Sequence, residues 1–485
     1  MVTPIRSVPA TSASTPSAPA SLLTAAPAAR ELPITRGHIP DLTRDPFRCM
    51  RALYRAHGNI AALEETDGQR VIFIFGPHYN QEVLSDTETY HARFFSLRGS
   101  RNSAQRRLTA ALLSMNGDEH KTQRRIVQGP FQKRAVEGYR DQLALLAEDM
   151  VAGWQAGQER DLFRDLTRFM QRVSGRVLLG VDEPELIEHI GDLTERWVAM
   201  NHELGLGAVV PHKKMDSYYD CLLDMAEELE AEIRTLIDRR REMPPGMDVT
   251  SLLLQARERA DSGVTDTELI GQTAILFAAG YLTTANTLAW TSFLLAQHPE
   301  ITTALVAELR RELDGRAPTL ADFPRLPMLD HVIKESMRIL PASFYSQRIN
   351  PEPVQLGPFY LIRGTPIVFS QYITHHMPDL FPDPERFLPE RWQTIAPSPY
   401  AYLPFGAGAR LCMGAPMALI TLKITLAVML QRFTFHLLPG SEINGRVTST
   451  MFAPASGIPV RIATPETPWQ LKPVTGSIHE MVTLD

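Results

Sequence analysis

One cysteine constrains this chain more than any other residue, because of what surrounds it in Phe405 to Gly414, FGAGARLCMG. The spacing is Phe405-x-x-Gly408-x-Arg410-x-Cys412-x-Gly414, and an apolar helical run, Ala415 to Gln431, follows with Pro416 near its start. A thiolate that ligates haem iron has three needs, and this segment can meet each. Gly406, Gly408 and Gly414 permit a turn tight enough to lay backbone against a flat porphyrin face. The start of the following helix supplies N–H donors and the positive end of a dipole near the sulfur. Arg410 is a cation suited to a haem propionate. The competing reading, a small buried hydrophobe in a glycine-rich turn, describes most isolated cysteines. The fixed spacing and the helix behind it favour Cys412 as a metal ligand.

The chain has 485 residues, 44% hydrophobic and 21% charged, enough for a large core. No composition break separates residues 35 and 463, so these read as one domain. A formal net charge of -6 argues against a general nucleic-acid binder. Cys49, Cys221 and Cys412 lie far apart and form no zinc or CxxC pattern, which suits a reducing compartment without structural disulfides. Residues 1 to 34 are rich in Ala, Pro, Ser and Thr and read as a disordered leader. Their longest apolar stretch, Leu22 to Ala29, is broken by Pro27 and is far shorter than the roughly 20 residues that cross a bilayer. It also lacks the continuous apolar core of a secretory signal. A soluble, cytoplasmic protein without a membrane anchor is the expectation, with residues 464 to 485 as a C-terminal tail.

Asn59 to Leu63 and Arg70 to Phe75 predict a hairpin around Asp67-Gly68. Helical patterns dominate from Gln81 to Leu340, and strand-like pieces return near Val354 to Val368, Val447 and Val460. Strands and helices do not alternate, so the expected class is mainly α with a small β part. Between a capping box, Thr265-x-x-Glu268, and the stop at His298-Pro299 runs one helix of about 30 residues, roughly 45 Å long. Its middle, Ala274 to Leu282, is almost wholly apolar, which predicts burial on every side and a wall for a cofactor pocket.

Three further segments join the cysteine loop. The long helix carries Ala279-Gly280-Tyr281-Leu282-Thr283-Thr284. Glu335-x-x-Arg338 precedes FPDPERFLPERW, which contains Arg386 in Pro384-Glu385-Arg386-Phe387. Gly117 to Arg125 reads GDEHKTQRR and leads to Phe131. Taken singly each has a plain explanation: a helical threonine bonding the carbonyl four residues back, a solvated ion pair, a polar helix face. Together, in this order and over nearly the whole chain after the leader, they resemble the cytochrome P450 family, in its soluble bacterial form.

The resemblance implies that fold: a single large domain around a long central helix and a buried haem b. It implies Cys412 as the iron ligand. His120, Arg124, Arg348, Phe405, Gly408, Arg410 and Gly414 would then hold the cofactor, and Glu335, Arg338 and Arg386 would form a buried triad behind the cysteine loop. Gly280 would make room for O2, and Thr283 with Thr284 would guide protons. The family's usual acid is replaced by Leu282, which cannot carry a proton, so protons need another route, such as a water ordered near Asn286. Phe94, Phe95, Leu97, Trp197, Ile275, Ala279, Leu282, Phe344 and Phe452 would line a pocket for a lipophilic small molecule. Lys121, Arg125, Lys133 and Arg134 would attract an acidic carrier, a ferredoxin or flavodoxin with its reductase, drawing on NAD(P)H. The implied activity is insertion of one oxygen atom from O2, as hydroxylation or epoxidation in secondary metabolism. Leu282 leaves open a haem-thiolate isomerase or a peroxide-dependent enzyme, and a non-catalytic haem-bearing scaffold is the third alternative.

Overall fold

The structure, a computed structural model, describes residues 32–93, 97, 99–207, 215–259, 262–469 and 472–484. Its longest element starts where the capping box is written. Thr265 Oγ1 accepts from Thr267 N at 3.2 Å, and Glu268 accepts from Thr265 N at 3.0 Å, opening the 32-residue helix Asp266–Gln297. His298 ends it, and Pro299, which has no N–H to continue a ladder, opens the helix Pro299–Leu313. From Leu269 to Gln297 every residue of the central helix is buried except Ala279, Gly280, Leu282 and Thr283, and those four line a cavity.

Other helices pack around this axis. Leu162–Val173 runs on into a π-helical turn, Ser174–Leu179, and Pro184–Gly207 and Met215–Arg241 lie alongside. Ala415–Arg432 is apolar enough to pass for a membrane span, with mean hydropathy 1.3, but 67% of it is buried in the protein. It is a core helix, and Cys412 stands just before its N-terminus.

The predicted hairpin forms as Ile60–Glu64 against Arg70–Ile74, antiparallel, with Leu63 opposite Val71. It belongs to a six-stranded mixed sheet in the order Ile34–Arg36, Ile60–Glu64, Arg70–Ile74, Pro366–Phe369, Ser346–Ile349, His91–Ala92. That order brings Ser346–Ile349, which carries Arg348, beside Pro366–Phe369, with Arg348 opposite Ile367. Helices dominate and the sheets are small, as the lack of strand–helix alternation predicted.

Residues Pro33–Asp485 form one compact unit. Most of the expected leader lies outside the described residues, and its last three residues already reach the strand Ile34–Arg36. The expected tail is not separate over its described part. Val474, Ile478, Met481 and Val482 are buried in the main core, and Thr483 N donates to Glu385 O at 2.8 Å.

Candidate active site

The cysteine loop folds back on itself, with Cys412 N donating to Phe405 O at 2.9 Å. Gly406 (φ 70°) and Gly408 (φ 68°) both adopt the left-handed conformation that favours glycine, for different reasons. A side chain on Gly406 would meet nothing within 4 Å, so this turn faces open cavity. A side chain on Gly408 would strike the carbonyl of Leu84, and Gly408 is not part of the cavity lining. Its expected contact with a cofactor is therefore corrected to close packing of the loop on a neighbouring helix. Gly414, at the N-cap of Ala415–Arg432, and Phe405 both line the cavity.

Cys412 is exposed, and the space it faces is a cavity of about 460 Å³. Burial among protein atoms pushes its thiol pKa up, while the backbone N–H groups of Gly414 and Ala415 and the charge of Arg124 oppose that rise. Those donors favour thiolate wherever a cation meets the sulfur.

His120, Arg124, Arg348 and Arg410 converge on the same cavity, and no carboxylate is among its lining residues. Arg410 donates to Leu112 O at 3.1 Å and Asn116 Oδ1 at 2.7 Å, and Arg124 donates to Leu411 O at 2.7 Å. Burial and the charge of Arg410 push Arg348 down to about 10, and its buried Nε has no partner. Burial and the charge of Arg124 likewise push Arg410 down to about 10. His120 falls to about 4, through burial first and then Arg410 and Arg124. A cluster of crowded cations with an unpartnered guanidinium N–H is complementary to a ligand bearing carboxylates. The residues fit a haem, with Cys412 for the iron and this basic end for its propionates.

Central-helix residues Ile275, Ala279, Gly280, Leu282, Thr283 and Thr284 also line the cavity, and Asn286 does not. Thr283 Oγ1 bonds back to Ala279 O at a long 3.3 Å. Gly280 has a second demand on it besides its place at the cavity: a Cβ there would lie 2.6 Å from Leu178 Cδ1 and 2.8 Å from Ser174 Oγ, so the glycine also admits the π-helical turn.

Of the expected pocket residues, Trp197, Ile275, Ala279 and Leu282 line the cavity, and Leu97, Phe344 and Phe452 do not. Phe452 stacks on Trp290 at 4.9 Å and Phe344 on Tyr372 at 4.7 Å, both within the core. Alternation along Met451–Pro454 explains the error, because Phe452 and Met451 face opposite sides and Met451 is the one at the cavity. Phe94 and Phe95 lie outside the described residues. Met170, Leu178 and Gln371 were missed. Their spacing resembled ordinary core, and only packing against the central helix or the sheet brings them to the cavity.

Glu335 and Arg338 are fully buried and paired, with Arg338 Nη2 to Glu335 Oε1 at 2.8 Å and Nε to Oε2 at 3.0 Å. The third charge is not Arg386, whose side chain is exposed and whose carbonyl accepts from Arg338 at 3.1 Å. It is Arg391, which donates to Glu335 Oε1 at 3.0 Å and to Pro382 O at 2.6 Å. Trp392 Nε1 and Leu388 N also donate to Glu335, at 2.9 and 3.1 Å. The string FPDPERFLPERW contains Pro-Glu-Arg twice, and the second copy was the one that mattered.

Beside this cluster, His375 Nε2 accepts from Leu403 N at 2.7 Å, two residues before Phe405. Burial, and then the charge of Arg338, pushes His375 down to about 3. Burial and Arg338 also hold neighbouring His376 well below the ordinary value. Both are neutral in the fold, whereas an unfolded histidine titrates near about 6.5. Between those values the unfolded chain binds more protons, so stability present above pH ~6.5 is lost on acidification toward pH ~3. Each histidine contributes a slope of up to about 1.4 kcal/mol per pH unit. Urea midpoints measured from pH 7 to 4.5 should fall steadily, and a flat profile would refute the assignment.

The family model described as cytochrome P450 matches residues 28–457. The chain belongs to the cytochrome P450 family. The P450 is 30% identical over 420 residues to "Cyclooctat-9-en-7-ol 5-monooxygenase" of Streptomyces melanosporofaciens, covering 84% of this chain and 89% of that one. It is 27% identical over 429 residues to "Pentalenene oxygenase" of Streptomyces avermitilis, covering 86% and 93%. Among solved structures, a retinoic acid-bound cyanobacterial CYP120A1 matches with TM-score 0.73 and 26% identity, covering 85% of this chain and 93% of that one. This P450 is thus a haem-binding monooxygenase, and the family implies ligation of the iron by a cysteine thiolate.

Proposed function

We propose that this P450 inserts one oxygen atom from O2 into a lipophilic terpenoid of secondary metabolism, with Cys412 as the iron ligand. Electrons come from NAD(P)H through an external ferredoxin or flavodoxin and its reductase, and the protein works in the cytoplasm. The observation that carries the reading is one cavity that joins Cys412, a basic end and an apolar wall from the central helix. Similarity to two terpenoid-named oxygenases supports the substrate class.

Haem, when bound, supplies O2 activation driven by thiolate electron density. The chain does the rest. His120, Arg124, Arg348 and Arg410 hold carboxylates and fix the cofactor's orientation. Trp197, Ile275 and Leu282 exclude water and position a hydrocarbon skeleton by shape. Thr283 Oγ1, held among the described residues by its long bond to Ala279 O alone, can turn and pass a proton into the cavity. Lys121, Arg125, Lys133 and Arg134 are exposed, on the helices Gly117–Val127 and Lys133–Gly138, and a group of cations of this kind suits an acidic carrier.

Leu282, an aliphatic side chain at the cavity, favours a second reading: an isomerase or peroxide-dependent enzyme that needs no proton relay. One assay separates the two. Holoprotein with NAD(P)H, ferredoxin and its reductase should place one atom of labelled O2 into a terpenoid product. Conversion that proceeds without reductant would sink the monooxygenase reading.

A further inference from the structure

The polar groups of the cavity are unevenly distributed. Met170, Leu178, Trp197, Val198, Ile275 and Leu282 make an apolar wall. Even the Trp197 indole N–H is spent inside the protein, donating to Gln105 Oε1 at 2.7 Å. Elsewhere in the lining stand Ser343, Ser346 and Gln371. Gln371 is 2% exposed, and its Nε2 donates to Ser343 Oγ at 3.1 Å and to Ser346 Oγ at 3.2 Å. Both amide hydrogens are thereby used, and both serines act as acceptors.

Each serine therefore keeps its own O–H, and neither donates to an acceptor among the described residues. The reverse amide orientation would let both serines donate to Gln371 Oε1 but would strand two N–H groups of a buried amide, whereas the observed one strands only Gln371 Oε1 and leaves two half-buried serine O–H groups facing the cavity. Two half-buried hydroxyl donors, aligned by a buried amide, sit in a cavity with one apolar wall. Of its other hydroxyls, those of Thr283 and Thr287 turn back on the carbonyls of Ala279 and Thr283, and Thr284, Ser449 and Thr450 also stand in the lining. A pure hydrocarbon filling this space would remove water from both donors and return nothing.

We infer that the substrate already carries an oxygen function, an alcohol or ketone, and that Ser343, with Ser346 beside it, donates to that oxygen. This rests on the terpenoid reading above and sharpens it. A reaction that installs oxygen on the hydrocarbon skeleton must then come before the step catalysed here. Ser346 and Arg348 are two apart on one strand and share a face, so a haem carboxylate is the other possible source of the acceptor oxygen.

The test uses holoprotein and a panel of terpene alcohols, each paired with its parent hydrocarbon. Dissociation constants come from the spectral shift on binding and, independently, from equilibrium dialysis. The alcohol of the tightest pair should bind about tenfold or more tightly than its hydrocarbon. Ser343→Ala should erase that preference, by weakening the alcohol and leaving the hydrocarbon bound at least as tightly as before, and Ser343→Thr, which keeps a hydroxyl, should retain it. Equal binding of alcohol and hydrocarbon by the wild type, or binding of no pair, overturns the inference. So does a Ser343→Ala protein that loses haem while keeping the preference, because the donor then serves a carboxylate. Absent turnover with the preference intact would count against the monooxygenase reading alone.

Discussion

Cys412→Ser is expected to abolish the red-shifted Soret band of the reduced carbon monoxide complex. The substitution keeps the loop, since Cys412 N bonds Phe405 O through backbone alone. It also keeps the basic end of the cavity, so part of the haem should stay. What changes is the donor atom. The N–H groups of Gly414 and Ala415 and the charge of Arg124 stabilise a sulfur anion against the cost of burial. A serine hydroxyl is a far weaker acid, and the same donors cannot hold it ionised. Loss of the band should be complete, with monooxygenase turnover lost alongside it. An unchanged band in the variant would remove Cys412 from the iron.

Glu335→Ala should have the largest effect on stability. Glu335 accepts from Arg338, Arg391, Trp392 Nε1 and Leu388 N, and both guanidinium partners are nearly or fully buried. Removing the carboxylate leaves two buried cations with no counter-charge, at a cost of roughly 3–5 kcal/mol. Against a typical stability of about 5–15 kcal/mol, that is a large share. Arg338 also donates to the carbonyls of His375 and Pro384, so the loop that supports the cysteine segment should loosen and haem content of purified protein should drop. Urea unfolding and haem quantification read the two effects. Arg391→Ala should follow Glu335→Ala, whereas Arg386→Ala, at an exposed side chain, should stay within about 1 kcal/mol of wild type. The opposite ranking of the two arginines would restore Arg386 to the cluster.

Those arginines show where sequence reasoning reached its limit. Both occur in a Pro-Glu-Arg string, five residues apart, with similar neighbours. Local pattern cannot separate them, because burial depends on which turn of the chain meets the helix Pro327–Ile339. The same limit explains the aromatic errors. Phe344 and Phe452 are large and apolar, and hydrophobicity alone does not say whether such a ring fills core or lines a cavity. The strand register decides it, turning Met451 and Ser343 to the cavity. The sequence marks Gly280 as room for O2 and Gly408 as part of a tight turn. What a side chain at each would collide with, Leu178 and Ser174 in one case and the Leu84 carbonyl in the other, lies far away in sequence.

Local chemistry was therefore legible in the sequence by itself. The Phe405 to Gly414 spacing, the Thr265 capping box, the Asp67-Gly68 hairpin and the apolar run of the central helix each depend on residues within a few positions of one another. Physical constraints of that range, φ angles, caps and periodicity, leave marks in a linear string. Only the tertiary structure decided which groups share one space. It replaced Arg386 with Arg391, and it gave one cavity to Cys412, His120, Arg124, Arg348 and Arg410, which the sequence groups only through family resemblance. It also put Gln371 behind Ser343 and Ser346. These groupings come from helix and strand packing across hundreds of residues, and pairwise burial of that kind has no signature until the chain is folded.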